Sequence, residues 1–151
     1  MRSRPDSRDA STVVVAYDGS NAADVAIERA GVELGPDRDA VVICVWQPAN
    51  VGFVPIGSPG LRAMDARDVR RAAECTAAHG ATVAREAGFD ARSLAIQAAP
   101  KWQGIVTAAR MYDSNTIVMA SRYRDGLIGR LCGSVAATTA AHFDRKVLIS
   151  H

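Results

Sequence analysis

Apolar residues alternate along this chain between two textures. Short runs, dense in aliphatic and often β-branched side chains, cover 12–17, 40–46, 115–120 and 146–150. Such runs, bounded by turn residues, read as strands buried on both faces. Residues 91–97 make a fifth strand, less apolar, with Leu94 and Ile96 as its core candidates. Between the runs the spacing changes to the helical period. After Ser20, an N-cap residue, Ala23, Ala26, Ile27, Ala30 and Leu34 recur on one face, and Gly35-Pro36 ends the helix. A long helix is predicted over 61–87, with Val69, Ala72, Thr76, Gly80, Val83 and Ala87 as its buried stripe and Gly88 closing it. Pro100 opens a third helix whose inner face is Ile105, Ala109 and Tyr112, and Gly133-Ser134 starts the last.

The order is therefore β-α-β-α-β-α-β-α-β. Single helices between buried strands predict an α/β three-layer sandwich: a parallel sheet with right-handed crossovers and helices on both faces. A length of 151 residues suits one such domain. Residues 1–11, polar and containing Pro5, read as a disordered tail, and 12–151 as the domain. Ligands of such folds bind beyond the carboxyl ends of the strands. That singles out the loops at 17–21, 46–59, 97–100 and 120–134. The Pro- and Gly-rich stretch 47–59 is placed to cover the cleft.

Composition narrows the function. The formal net charge is only +2, and its arginines come in short clusters, which does not point to nucleic acid. No apolar run approaches the length of a membrane span and no secretion signal opens the chain, so a cytoplasmic protein is expected. The three cysteines lack metal-ligand spacing. Cys44 and Cys75 read as small buried hydrophobes, and Cys132, in a Gly-rich segment, as the more exposed thiol. No serine or cysteine has an evident His and acid partner, and no G-x-S-x-G or H-E-x-x-H occurs, so hydrolytic triads and zinc chemistry are not expected. An unrelated small α/β enzyme is disfavoured for the same reason. Trp46 and Trp102, near strand ends, fit core or rim packing, or a place over a bound base.

Two features carry binding chemistry. Asp18 ends the first strand, where a carboxylate can accept from a ligand sugar or base; Asp-Gly is equally a turn signal. Gly133-Ser134 opens the last helix, whose free N–H groups suit an anion. No Lys-Ser/Thr pair follows, so this is not a P-loop.

With those residues in view the sequence resembles the universal stress protein family over about residues 12–150. The likeness rests on Val13-Val14-Val15-Ala16-Tyr17-Asp18-Gly19-Ser20, Ile43-Cys44-Val45, Ala98-Ala99-Pro100, Thr116-Ile117-Val118-Met119-Ala120-Ser121, Gly133-Ser134-Val135 and Lys146-Val147-Leu148-Ile149. It implies a five-stranded parallel sheet in the order 3-2-1-4-5, Rossmann-like, of the adenine nucleotide alpha hydrolase type. It also implies a homodimer through the last strand, with an adenine nucleotide, ATP in one branch, as the candidate cofactor. By the resemblance Asp18 matches the carboxylate near the nucleoside and Val45 the strand position whose backbone meets adenine. Ala98 replaces a glycine common before the third helix. The ATP-binding pattern Gly-x-x-Gly, nine residues, Gly-Ser/Thr falls with its first two glycines on Ala120 and Tyr123, while Gly133 and Ser134 keep the final pair. A bulky residue resists the positive φ that glycine supplies. The expectation is a non-enzymatic stress-response or regulatory protein with a degenerate phosphate loop. The alternative is an adenine-nucleotide sensor with at most slow hydrolysis.

Overall fold

The computed structural model describes residues 11–47, 66–121 and 134–150, and of Ser134 the backbone alone. Within these, five strands and four helices alternate: β1 Val13–Ala16, α1 Asn21–Leu34, β2 Asp39–Trp46, α2 Ala66–Glu86, β3 Asp90–Gln97, α3 Lys101–Met111, β4 Thr116–Ala120, α4 Ser134–His142 and β5 Lys146–Ser150. All strand pairs are parallel, and the sheet order is β3-β2-β1-β4-β5, as expected.

β1 is the central strand. Val13, Val14 and Val15 are all buried, because helices cover both faces and no position can be given to water. Val13, Val15 and Tyr17 belong to a core shared with α1 and α2, and Val14 to the opposite core, shared with α3 and α4. Strand alternation thus splits one apolar run between two layers. On α1 the expected face is buried at Ala23, Ala26, Ile27 and Ala30; Leu34 sits at its margin and Gly31 completes it.

The stripe expected on α2 is corrected. The buried line is Ala73, Ala77, Gly80, Ala81 and Ala84. Ala72 is exposed, and Val69, Thr76, Val83 and Ala87 flank the line half-buried. The reason is close approach: a Cβ on Gly80 would lie 2.6 Å from the Tyr17 ring and 2.8 Å from Val42 Cγ1. The helix lies so near the sheet that only small side chains fit beneath it. Tyr17 fills the gap, and its hydroxyl donates to Asp24 Oδ1 of α1 at 2.6 Å. Burial, then that hydrogen bond, then the charges of Asp24 and Asp18 hold the phenol in its protonated form far above its ordinary pKa.

Leu94 and Ile96 are half-buried rather than fully buried, since β3 is an edge strand. Cys75 lies exposed on the outer face of α2, against the expectation of burial, and Cys44 is half-buried. Cys132, the 1–10 part of the expected tail and the 48–59 part of the expected cover loop fall outside the described residues, as does 61–65 of the long helix. Among the described residues no helix is long and apolar enough to cross a membrane.

Candidate functional site

The ladder between β1 and β2 ends early, and that creates the site. Its last hydrogen bond runs from Tyr17 N–H to Ile43 O at 2.9 Å. In a strand, the peptide groups of alternate residues point to alternate neighbours. Ile43 points to β1, so Val45 does too, whereas Trp46 points to β3 and accepts from Ala98 N–H at 3.1 Å. Beyond Tyr17 the chain turns away into α1, so among the described residues the Val45 N–H and C=O have no partner on the β1 side. Burial along β2 falls in step, from fully buried at Ile43 to half-buried at Cys44, Val45 and Trp46.

Asp18 stands where β1 departs. Its Oδ1 accepts from Ser20 N–H at 3.0 Å and from Ser20 Oγ–H at 2.6 Å, and Ser20 Oγ accepts from Ala23 N–H at 3.2 Å. The carboxylate thus braces the turn through Gly19, at φ 81°, and the capped start of α1. The turn role is real, and it also fixes an exposed carboxylate beside the open end of β2.

The far wall is the first turn of α3. Ala98 has its methyl group against this helix. A Cβ on Gly104 would lie 2.7 Å from Ala98 Cβ and 3.1 Å from Val45 Cγ1. Glycine at 104 therefore accommodates the alanine at 98, and the helix seats directly on the Val45 side chain. Lys101 opens α3, and its charge reaches the Cys44 thiol, as does that of Asp18. Burial raises the thiol pKa; Lys101 opposes this and Asp18 adds to it. The protonated thiol is thus favoured, with charges of opposite sign acting on it from Lys101 and Asp18. Lys101 was not singled out by the sequence, where it is one exposed lysine after a proline. Trp102 is half-buried and stacks on His142 of α4, ring centroids 4.2 Å apart, so its role here is packing between helices.

Ala120, half-buried, is the last residue of β4, next to Ser121, whose N–H donates to Ser150 O at 2.9 Å. Tyr123 and Gly133 lie outside the described residues, and Ser134 is placed only as the first residue of α4. The structure thus brings Asp18, Val45 and Ala98 to one edge of the sheet, where β4 and α4 also bring Ala120 and Ser134. A surface depression lined by Glu28, Arg29, Val32 and Glu33 lies on the second half of α1 and is not part of this edge. Among the described residues no group of three His, Cys, Asp or Glu side chains is placed to hold a metal.

A model of the universal stress protein family matches residues 10–151. In fold the chain is similar to a universal stress protein solved in complex with cAMP, at 23% identity over 94% of this chain and 97% of that one, TM-score 0.69. It is also similar to the universal stress protein of Archaeoglobus fulgidus, at 22% identity over 93% and 98%, TM-score 0.68. The structure of the universal stress protein from the same organism in complex with dAMP gives 21% identity over 93% and 98%, TM-score 0.62. No curated relative matches the chain significantly.

Proposed function

The chain belongs to the universal stress protein family, and from that premise we propose that it is a cytoplasmic, non-enzymatic stress-response protein that receives the adenosine part of a nucleotide but holds a triphosphate poorly. The observation that carries the reading is the open Val45 peptide beside Asp18. An adjacent backbone donor and acceptor match the amino group and neighbouring ring nitrogen of adenine, and the carboxylate accepts from ribose hydroxyls. Two similar structures are complexes with cAMP and dAMP, each carrying a single phosphate. One phosphate needs little more than the N–H groups at the start of α4. Three need a loop that closes around them, and there Ala120 and Tyr123 stand where ATP binders of the family carry glycine.

Calorimetric titration of adenosine, AMP and ATP into the wild type and into the Ala120→Gly, Tyr123→Gly double mutant tests this. The wild type should bind AMP more tightly than ATP, and the double mutant should gain ATP affinity. ATP binding by the wild type as tight as that of AMP would instead support the second reading, a nucleotide sensor with slow hydrolysis, which the retained Gly133-Ser134 pair favours. No gain in the double mutant would remove Tyr123 from the account.

The same reading makes the protein a homodimer through β5, the edge strand beside β4. Val147, Leu148 and Ile149 are half-buried there, and an edge ladder with apolar side chains invites pairing with a second copy.

A further inference from the structure

Two opposite charges flank the open end of β2: Asp18 where β1 ends, and Lys101 at the start of α3, the helix that packs over β2 and β1. The cation has no local reason to be there. It occupies the first position of α3, where positive charge opposes the helix dipole, and no acidic residue stands in that first turn to offset it. Among the described residues it forms no ion pair.

Its place in the fold is nevertheless tightly set. β3 is paired with β2 as far as Trp46↔Gln97, and Ala98 N–H continues that ladder to Trp46 O. Three residues later the helix begins, and Gly104 seats it on Val45 at van der Waals limits. Residues 101 and 104 share a helix face at spacing i, i+3. Lys101 is thus one turn N-terminal to the Gly104–Val45 contact, near enough to the end of β2 for its charge to act on the Cys44 thiol.

We propose that Lys101 is a base-recognising residue of this site: its ammonium donates to a ring-nitrogen acceptor of the bound purine while Asp18 takes the sugar. The inference rests on the reading of the crevice as an adenosine site. A lysine has three donors and no acceptor, so it can serve only an acceptor atom. Adenine, with its amino group and one ring nitrogen engaged by Val45, still presents ring-nitrogen acceptors along its other edges. The division of charge also fixes polarity: the sugar's hydroxyl donors face the anion on β1, and the base's acceptors face the cation on α3.

The experiment measures adenosine and AMP affinity calorimetrically in the wild type, Lys101→Met, and Arg110→Ala, an exposed residue at the far end of α3. Lys101→Met should weaken both ligands equally, by about tenfold or more, the effect of losing a hydrogen bond to a charged group; Arg110→Ala should weaken neither. A loss with AMP but not adenosine would make Lys101 a phosphate ligand and overturn the proposal. Unchanged affinity for both in Lys101→Met would overturn it while leaving the adenosine site standing. No binding of either ligand by the wild type would sink the site and the proposal together. A second readout needs no ligand. In a Cys75→Ser, Cys132→Ser background, alkylation of Cys44 at about pH 8.5, near the ordinary thiol pKa, should slow when Lys101→Met removes the charge that favours the thiolate. An unchanged rate would show that Lys101 is not beside the end of β2, and would overturn the proposal independently.

Discussion

Replacing Gly104 by alanine puts a methyl group where α3 meets the sheet. The new Cβ would lie 2.7 Å from Ala98 Cβ and 3.1 and 3.4 Å from the two Val45 γ-carbons, against the roughly 3.5–4.0 Å of an ordinary carbon–carbon contact. None of these neighbours is the loose end of a long side chain. Ala98 Cβ is fixed to backbone, and valine is stiff at χ1. The helix or the strand end must therefore move by about 1 Å to restore contact distance. Overpacking of this kind costs about 1–3 kcal/mol, and a clash on a backbone-anchored carbon belongs at the upper end. The better helix propensity of alanine returns about 1 kcal/mol. A net loss of about 2 kcal/mol is expected. Ala98→Gly alone removes the closest obstacle, so the Ala98→Gly, Gly104→Ala double mutant should recover more than half of that loss, with the Val45 contact accounting for the rest. Urea unfolding of the four proteins in the cycle measures this. At slopes of about 1–3 kcal/mol per molar urea, Gly104→Ala should lower the midpoint by on the order of 1 M. A Gly104→Ala protein as stable as wild type would refute the close approach. So would a cycle additive within about 0.5 kcal/mol, the value expected of independent sites.

Two further outcomes are expected. Tyr17→Phe loses the hydrogen bond to Asp24 and about 1 kcal/mol with it; because the folded-state pKa of Tyr17 is raised by burial first and by Asp24 second, the wild type's extra stability is complete below about pH 10, the unfolded tyrosine pKa, and declines as pH rises above it. Urea midpoints between about pH 8 and 11 should therefore fall more steeply for wild type than for Tyr17→Phe, and parallel curves would rule out a buried neutral phenol. At β5, Lys146 N–H donates to Asn115 O at 3.1 Å and Ser150 O accepts from Ser121 N–H, so Val147 and Ile149 turn their peptide groups to the outer edge. Val147→Pro should abolish the proposed dimer in sedimentation velocity while keeping the β4 ladder and an apolar side chain; a wild type that sediments as a monomer at micromolar concentration would end the dimer proposal.

The elements and their order can be read directly along the chain. Val13, Val14 and Val15, Val41 to Val45, and Ile117 to Met119 are runs that can be satisfied only by burial on two faces, and large aliphatic side chains make that demand visible in one dimension. The Asp18-Gly19-Ser20 turn was legible for a similar reason: the carboxylate and hydroxyl act within a few residues of themselves, so no distant partner was needed to place them. Which face of α2 is buried was not legible. Its stripe is alanine and glycine, and the same helix carries exposed Ala72 and Ala78, so residue type does not separate inside from outside. Packing against the sheet sets it, because Tyr17 and Val42 leave room at Gly80 for no Cβ at all. The same holds at the site. Ala98 looks in sequence like a lost glycine, and only the meeting of α3 with the ends of β2 and β3 pairs it with Gly104. The open Val45 peptide depends on where the β1–β2 ladder stops, and Lys101 on which helix starts above it. Hydrophobic demand is a property of a residue and can be read along the chain; vacancy and close approach are properties of two backbones, and exist only once the chain has brought them together.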